Sequence, residues 1–351
     1  MAHDRVPMQV RARNTAMTLA LLDADRGVAP TRWQASRFPD DLRAKIDVVH
    51  EGIDTDLVRP SLQAEVRLRR DGVVLRPGDE VITFVNRNLE PHRGYHIFMR
   101  ALPAILARRP KARVVIVGGD GASYGPPPPG GGSWKQLFLD EVQGSLDMAR
   151  VHFVGRVAHG TLLQLLQISA AHVYLTYPFV LSWSMLDAMS AGALVIGSRT
   201  PPVEEVIKSG RNGLLVDFFD VDGLADAVVD ALANPEAYRA MRAAARQTVM
   251  ERYDLRRVCL PAWMRLLEDV GGTGIENAQT RNTRFDGSPP SLSSSRGSVM
   301  TVRRQPVGVH VEPQSAGGLR GSVLVEARRR VNLHPRPGVQ LLPSLMPGNG
   351  R

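Results

Sequence analysis

The chain has 351 residues, of which 43% are hydrophobic, and a formal net charge of +9. This apolar fraction is ample for a packed core. A single cysteine, Cys259, excludes a disulfide within the chain and argues against a cysteine-based metal site. No apolar run approaches the roughly 18 residues that a membrane span needs, and residues 1–14 lack the apolar core of a signal peptide. We therefore expect a cytoplasmic protein, either free or peripheral to the inner face of the membrane.

The positive charge is concentrated at the C-terminal end. Residues Glu276–Arg351 contain eleven arginines, no lysine and four acids, which gives +7 of the chain's total of +9. A basic tail either binds nucleic acid or anionic lipid, or is a disordered extension. Because Phe285 is the only Phe, Tyr or Trp in this stretch, nucleobases would have no series of aromatic side chains on which to stack. We expect residues 273–351 to be a disordered, low-complexity tail without a nucleic-acid partner.

Short apolar runs alternate with amphipathic stretches between Lys45 and Val216. Such alternation of strands and helices predicts a parallel sheet with helices on both faces. The predicted strands are Ile46–Val49, Val81–Val85, Arg113–Val117, Val151–Val154, Ala171–Thr176, Leu194–Ile196 and Gly213–Val216. The predicted helices are Tyr95–Arg108, Trp134–Leu146, Gly160–Ser169, Trp183–Ala191 and Val203–Ser209.

Helices dominate from Val221 to about Val270, and Pro235–Tyr253 contains good helix formers throughout. Before Lys45 there is one helical stretch, Asn14–Asp25. The predicted fold class is therefore α/β: a doubly wound, Rossmann-like parallel sheet over residues 45–272 with a helical C-terminal segment. Residues 1–44 are too short for a second domain. Ligands of such sheets lie beyond the carboxyl ends of the strands.

The stretch Tyr177–Ser198 is the most informative part of the chain. The apolar strand before it stops at Pro178, small and hydroxyl residues follow, and a helix carrying Asp187 comes next. Backbone N–H groups at a helix start lack partners and the helix dipole favours an anion, so the segment predicts a phosphate site. An acid one turn further in can reach the hydroxyls of an attached ribose.

Two arginines, Arg87 and Arg93, follow the predicted strand Val81–Val85 and precede Gly94 and a helix. Guanidinium groups bind phosphate oxygens bidentately. Two cations at a strand end beside a helix start therefore suit a diphosphate. Either arginine alone could equally be an exposed loop residue, but the pair together with the Tyr177 segment favours binding.

Glycine-rich turns follow two more strands. Glycines there let a ligand approach the backbone closely, which predicts walls of a nucleotide pocket. The second turn could equally be a plain strand-to-helix connection, and a complete GxGxxG fingerprint is absent. The residues concerned are Gly118, Gly119, Asp120 and Gly121 in the first turn and Gly155 and Arg156 in the second.

Other catalytic signatures are absent from the sequence. His92 and His96 are four positions apart, but no third ligand is close to them in sequence, so a solvated helix start is favoured over a metal site. No Ser-His-Asp or Walker pattern is present. We expect neither a metal nor a cofactor.

These motifs, in this order, resemble the nucleotide-sugar-binding half of retaining GT-B glycosyltransferases of family 4, from about Ala29 to Leu267. The resemblance implies that Arg87 and Arg93 correspond to the two cations of the family's GR…KG signature, with one extra residue between them and Arg in place of Lys. Further matches are HEGID at His50–Asp54, the GxG turn at Gly119–Gly121, the F-x-G turn linked to base recognition at Phe153–Gly155, and the NGLLV strand at Asn212–Val216.

The E-x7-E motif of that family is altered in this chain. Its second acid falls on Asp187, which the resemblance implies holds the ribose. Its first falls on Phe179, which accepts no hydrogen bond from a sugar hydroxyl. The glycine of the family's diphosphate turn is replaced by Ser182. The resemblance still implies diphosphate contacts from Ser182, Trp183 and Ser184, and it leaves the sugar without its usual acid.

The resemblance implies transfer of a glycosyl group from a nucleoside-diphosphate sugar, with retention of the anomeric configuration and without a metal. It names neither the acceptor nor a catalytic residue. In this family an acceptor-binding half precedes the donor half, and residues 1–44 match only its closing segment. Two hypotheses stay open: a glycosyltransferase or its truncated donor domain, and a non-catalytic nucleotide-sugar-binding or partner module that completes its cleft against another chain.

Overall fold

The computed structural model describes residues 5–68 and 72–282, which all belong to one compact unit. The first ten residues of the predicted disordered tail, 273–282, are helical, and the rest of the tail, from residue 283 onward, lies outside the described residues. Within the described ranges the strands form a six-stranded sheet, a two-stranded parallel sheet and a two-stranded antiparallel sheet.

The chain begins with α1 (Arg5–Asp23), β1 (Gly27–Ala29), α2 (Arg32–Ala35), α3 (Asp40–Arg43) and β2 (Ile46–Val48), and continues with the antiparallel pair β3 (Val66–Arg67) and β4 (Val74–Leu75). The alternating part comprises β5 (Val81–Asn88), a 3-10 turn (Pro91–Arg93), α4 (Tyr95–Arg108), β6 (Arg113–Gly119), α5 (Trp134–Val142), a second 3-10 turn (Gln143–Ser145), β7 (Val151–Gly155), α6 (His159–Gln167), β8 (Ala171–Tyr174), α7 (Trp183–Ala191), β9 (Leu194–Ser198), α8 (Pro201–Glu204) and β10 (Leu214–Val216). The last described elements are α9 (Val221–Ala233), α10 (Arg239–Arg252), a π-helical turn (Leu255–Cys259) and α11 (Leu260–Asn282).

The six-stranded sheet is parallel throughout, in the spatial order β10-β9-β8-β5-β6-β7. Numbered along the chain, these strands read 6-5-4-1-2-3, the order of doubly wound dinucleotide-binding folds. The predicted α/β class and parallel sheet are confirmed. The order reverses between β5 and β8, where Phe84 pairs with Val173. At such a switch point the two connections leave in opposite directions, which opens a crevice at the carboxyl ends of the strands.

The helix α4 shows how the sheet is covered. Its bounds are those that the apolar period predicts, and Phe98, Leu102 and Ile105 are fully buried on one face. Phe84 of β5 stacks on Phe98 with ring centroids 4.5 Å apart. Burying one large apolar side chain contributes about 1.5–3 kcal/mol. This contact therefore helps to hold α4 against the sheet, and with it the 3-10 turn that precedes the helix.

The helix α10 ties the segment after β2 to α7. Arg246 Nη1 donates hydrogen bonds to the carbonyl oxygens of Val58 and Ser190, at 3.0 and 2.8 Å. Directly after α10, the buried Asp254 accepts a hydrogen bond from Thr55 Oγ1. The segment after β2 is therefore held beside α7.

One predicted helix is largely absent. The stretch Val203–Ser209 is helical only within α8, which ends at Glu204. The side chain of Asn212 takes the backbone groups that a further helical turn would use. Its Oδ1 accepts from the amide of Lys208 at 2.7 Å, and its Nδ2 donates to the carbonyl of Val206 at 3.0 Å. Local side-chain hydrogen bonds of this kind compete with helix formation.

Other boundaries also differ from the predicted ones. The strand β8 ends two residues early because the amide of Thr176 donates to Ser198 Oγ at 3.0 Å and so leaves the sheet ladder. The strands β3 and β4 have two residues each, too few to show a period in the sequence.

Helix α1 is only partly covered by the rest of the chain. Its Leu21 is buried, whereas Leu19 and Leu22 are 56% and 55% exposed. No described helix is long and apolar enough to cross a membrane.

A buried histidine gives the fold a measurable pH dependence. His172 is fully buried in β8, with Thr83 Oγ1 2.9 Å from its Nδ1, and burial lowers its pKa from the ordinary 6.5 to about 3. As the pH falls below 6.5, the unfolded chain binds a proton that the folded chain does not, so the free energy of unfolding decreases. Between pH 6.5 and the lower pKa of the folded state, one such group decreases the free energy of unfolding by about 1.4 kcal/mol for each pH unit.

We expect the variant His172→Asn, which keeps a polar side chain that does not titrate, to lose this one-proton dependence between about pH 4 and 6.5. Urea unfolding at several pH values measures it. His96, whose pKa burial lowers to about 4, is present in both proteins and contributes equally to each. An unchanged slope of unfolding free energy against pH would show that His172 is not the group responsible.

Candidate functional site

Gly94 brings the end of β5 against the end of β8. Its φ is +68°, and a Cβ added there would lie 2.3 Å from the Cβ of Leu175, so only glycine fits between the 3-10 turn and α4. This close approach places Arg93, the preceding residue, beside the segment that follows β8. A hydrogen bond of 2.9 Å from the amide of Tyr177 to the carbonyl of His92 closes the same contact.

Arg93 is a buried cation with neutral hydrogen-bond partners. The residue is 4% exposed. Its Nη1 donates to Thr176 Oγ1 and to the carbonyl of Val180, both at 2.9 Å, and to the hydroxyl of Tyr174 at 3.3 Å. Within the described ranges no carboxylate forms an ion pair with Arg93, and its Nε and Nη2 donate no hydrogen bond. Those two donors are available to an anion.

The hydroxyl of Tyr174 links Arg93 to the start of α7. It accepts a hydrogen bond from Arg93 Nη1 and another, at 2.7 Å, from the amide of Ser182. Tyr174 is 1% exposed, and burial raises the pKa of its hydroxyl, although the charge of Arg93 opposes that shift. The hydroxyl therefore stays protonated at neutral pH. Arg93 and the N-terminus of α7 form one connected site.

The N-terminus of α7 is partly satisfied by the chain itself. Ser182 is the N-cap, and its Oγ accepts from the amide of Ser184 at 3.4 Å. The two serine hydroxyl oxygens lie 3.0 Å apart. Two of the predicted phosphate donors, the amides of Ser182 and Ser184, thus already have partners. If an anion bound here, the two amides would replace these long or neutral hydrogen bonds with charge-assisted ones.

The third predicted phosphate contact, Trp183, reaches the segment after β2. Its indole Nε1 donates to Glu51 Oε2 at 3.3 Å. His50 Nε2 lies 3.8 Å from the same oxygen, while His50 Nδ1 accepts from the amide of Gly52. Burial lowers the pKa of His50, although Glu51 opposes the shift. A carboxylate that is partly exposed therefore lies beside the first residue of α7.

Asp187 and Arg87 have contrasting surroundings. Asp187 lies on the second turn of α7 and is 6% exposed, at the helical position that the sequence predicts. Arg87 is the last residue but one of β5 and is exposed. The structure thus brings Arg93 into contact with the residues around the start of α7. It leaves Arg87 at the same edge of the sheet, facing solvent.

The two glycine turns differ in how accessible their backbone is. A Cβ added to Gly119 would lie 2.6 Å from Asn88 Oδ1 and 3.0 Å from Arg156 Nε. Arg156 Nη2 in turn donates to Asn88 Oδ1 at 3.2 Å. Gly155 has a φ of +65° and nothing within 4 Å of an added Cβ. The chain's own side chains therefore crowd Gly119, whereas the backbone at Gly155 is open.

The remaining residues of the first turn have local roles. Gly118 packs against Leu89, whose Cδ2 would lie 2.8 Å from an added Cβ. Asp120 forms an ion pair of 3.2 Å with Lys135. Gly121 has its nearest neighbour, Asn88, at an ordinary 3.6 Å from an added Cβ. Close packing requires glycine at position 118 more strongly than at position 121.

Phe179, which stands where the resemblance places the first acid, lies against Arg93. The guanidinium carbon Cζ is 5.3 Å from the ring centroid of Phe179 and 5.1 Å from that of Tyr124. The two rings meet edge to face with centroids 4.7 Å apart. At this point the site has two cation–π contacts in place of a carboxylate.

Four residues of this site are not among those that the sequence predicts: Tyr174, Thr176, Tyr124 and Glu51. The first two belong to an apolar run that predicts only a strand, and Tyr124 lies in a loop rich in Gly and Pro. Glu51 lies within the HEGID match at His50–Asp54, which indicates the family but gives no role to this acid, and no local signal distinguishes the other three. Their roles arise from contacts across long stretches of chain, such as the 132 positions between Glu51 and Trp183.

Among the described residues neither a metal site nor a cavity competes with this site. The described part of the chain contains no group of three His, Cys, Asp or Glu side chains that could hold a metal ion. A cavity of about 110 Å³ lies at the amino ends of β5 and β8, where Gly78, Ser169 and Arg242 are among its lining residues. That is the opposite edge of the sheet from Arg93. The crevice at the switch point is therefore the candidate functional site.

The chain is similar to known families and to curated proteins. The family model of the glycosyl transferases group 1 matches residues 68–248, and that of the glycosyl transferase family 4 group matches residues 2–58. The chain is 28% identical over 240 residues to the D-inositol 3-phosphate glycosyltransferase of Rhodococcus jostii (strain RHA1), covering 67% of this chain and 50% of that protein. It is 27% identical over 245 residues to the GDP-mannose-dependent alpha-(1-6)-phosphatidylinositol monomannoside mannosyltransferase of Mycolicibacterium smegmatis, covering 67% and 60%. The chain thus spans between half and three fifths of the length of these relatives.

Solved structures have the same fold. HepE of Anabaena, in its complex with UDP and glucose, superposes with a TM-score of 0.59 at 20% identity, over 73% of this chain and 66% of that one. The sucrose-phosphate synthase from Thermosynechococcus elongatus superposes with a TM-score of 0.60 at 21% identity, over 75% and 62%. At these identities the likeness concerns the fold. Because the first family model covers just over half of its residues, the chain belongs to the glycosyl transferases group 1 family.

Proposed function

We propose that the chain binds a nucleoside-diphosphate sugar at the switch point and supplies the donor site of a retaining glycosyl transfer. One observation carries the proposal. Arg93, a buried cation with neutral oxygen partners, is linked through Tyr174 to the amide of Ser182 that opens α7. Membership of the group 1 family supports it.

The electrostatics of Arg93 favour a ligand with several negative charges. Burying an ion in a protein costs several kcal/mol unless it is paired, and neutral oxygens offset only part of that cost. A diphosphate between Arg93 and α7 would pair the charge and accept charge-assisted hydrogen bonds from Nε and Nη2. The dipole of α7 favours the same anion. Both parts of the site therefore select for a polyanion.

The other contacts follow from this placement. Asp187 would accept hydrogen bonds from the ribose hydroxyls, Arg87 would reach the outer phosphate from the edge of β5, and the open backbone at Gly155 suits a nucleobase edge. The remaining proposed contacts are Ser182, Trp183 and Ser184 for the diphosphate, and Gly118, Gly119, Asp120, Gly121 and Arg156 for the walls of the nucleotide pocket.

The proposed reaction breaks the bond between the anomeric carbon of the sugar and the diphosphate oxygen, and forms a bond between that carbon and a hydroxyl oxygen of the acceptor, whose proton passes to the departing diphosphate. Negative charge develops on the departing diphosphate, and Arg87 and Arg93 would stabilise it without a metal ion. The names of the two bacterial relatives above contain inositol 3-phosphate and phosphatidylinositol. We therefore propose a phosphorylated or lipid-linked inositol as the first class of acceptor to test.

The first test is titration calorimetry of the purified chain with UDP, GDP and ADP, in the presence and absence of EDTA. We expect one nucleotide to bind with a dissociation constant of about 1 µM to 1 mM, the usual range for enzyme substrates, and with the same value when EDTA is present. Turnover with inositol 3-phosphate can then be measured with the matching sugar donor. No binding of any of the three at millimolar concentration would contradict the proposal.

Substitution of the two arginines separates their roles. A hydrogen bond to a charged group contributes about 1.5–3 kcal/mol, so we expect Arg93→Gln to weaken nucleotide binding by about 10- to 100-fold. Arg87→Gln, at an exposed position, should weaken it by about five-fold or less. Arg211→Gln removes another exposed charge, before β10, and is the control. Because Arg93 is buried, circular dichroism would confirm that its variant folds, and unchanged affinity in a folded Arg93→Gln would remove Arg93 from the site.

Asp187 is tested by pairing a substitution with a change in the ligand. We expect Asp187→Asn to weaken binding of the ribonucleotide by about 10-fold, because the amide replaces a charged acceptor. The variant should bind the 2′,3′-dideoxy nucleotide as tightly as the parent does, because this nucleotide has no ribose hydroxyl that could donate a hydrogen bond to residue 187. The control is Asp226→Asn, an exposed acid on α9. Equal weakening for both nucleotides would assign Asp187 to the stability of α7 and not to the ribose.

A further inference from the structure

Tyr124 closes the crevice over Arg93. The ring of Tyr124 lies 5.1 Å from the guanidinium carbon and packs edge to face on Phe179, which touches the same guanidinium. With both rings in place Arg93 is 4% exposed, although Tyr124 itself is 37% exposed. Phe179 belongs to the segment between β8 and α7, and Tyr124 to the loop between β6 and α5. The cation is therefore shielded by a residue at the surface of the molecule.

The beginning of this loop is fastened to buried groups beside Arg93. The amides of Ser123 and Tyr124 both donate to Glu90 Oε2, at 3.2 and 3.1 Å, and Asn88 Nδ2 donates to Ser123 Oγ. Glu90 is 1% exposed, and its other oxygen, Oε1, is buried without a hydrogen-bond partner among the described residues. One carboxylate oxygen thus holds both amides and keeps the Tyr124 ring over Arg93.

The end of the loop has the features of a hinge. Three consecutive glycines, Gly130–Gly132, have φ of +87°, +86° and +78°, and nothing lies within 4 Å of a Cβ added to any of them. They follow four prolines, residues 126–129, which are stiff. The indole Nε1 of Trp134 donates to the carbonyl of Pro126 at 3.0 Å. Backbone freedom is therefore concentrated at the glycines, and a turn there breaks the hydrogen bond between Trp134 and Pro126 but leaves α5 in place.

We propose that the Tyr124 loop, residues 120–133, is a cover that the diphosphate of the donor displaces from Arg93. The proposal rests on the donor site described above. The ring of Tyr124 lies over the guanidinium of Arg93, with 5.1 Å between the guanidinium carbon and the ring centroid, so the ring and a diphosphate compete for the same cation. A cation–π contact is weaker than charge-assisted hydrogen bonds to phosphate, so the exchange is favourable. Without donor, the ring of Tyr124 takes the place of an anion beside the cation.

The test compares Tyr124→Ala with Tyr124→Phe in the full chain, by calorimetry with UDP, GDP and ADP. Loss of the ring removes the competitor, so Tyr124→Ala should bind the preferred nucleotide about five-fold more tightly than the parent. Tyr124→Phe keeps the ring, and should stay within about two-fold of the parent. Because Tyr124 is at the surface, neither change is expected to prevent folding.

Hydrogen exchange of the Ser123 and Tyr124 amides, followed by NMR, tests the movement directly. In the parent chain both amides are held by Glu90, and saturating nucleotide should make them exchange faster. The inference fails if Tyr124→Ala binds nucleotide no more tightly than the parent, or if these amides stay as protected with nucleotide as without it. In both cases binding by the parent would leave the donor site intact. If parent and Tyr124→Ala both bind none of the three nucleotides, the donor site itself is refuted.

Discussion

The hydrogen bonds of one buried guanidinium hold the candidate site together. Arg93 Nη1 joins Thr176 and Val180 of the segment after β8, and through the hydroxyl of Tyr174 it is connected to the cap of α7. These groups come from the two strands that flank the switch point, whose connections otherwise diverge. Gly94 makes the contact possible, because any side chain there would collide with Leu175, the residue directly after β8.

The neutrality of these partners is what suits the site to an anion. A carboxylate in contact with Arg93 would already satisfy the guanidinium and would repel a diphosphate. Phe179 stands where the related family has an acid, and with Tyr124 it contacts the cation without adding negative charge. Among the described residues Arg93 is therefore left without an ion-pair partner.

Carboxylates are nevertheless present around α7. Asp187 is buried on its second turn, and Glu51, from the segment after β2, accepts a hydrogen bond from the indole of Trp183. Helix α10 keeps that segment in place through Arg246, which donates hydrogen bonds to a carbonyl oxygen of the segment and to one of α7. The start of α7 thus lies between a cation on one side and a carboxylate on the other.

The alternation of strands and helices, the bounds of α4 and the position of Asp187 could be predicted from the sequence, because each depends on a short apolar period or on residues adjacent in the chain. The tertiary structure alone decided which arginine reaches α7, since Arg93 and Val180 are 87 positions apart. It also decided that Tyr124 covers Arg93. The physical reason is that an apolar period records only which side of an element is buried. The partner of a polar group depends on strand order and on close approaches such as that at Gly94, which no local pattern contains.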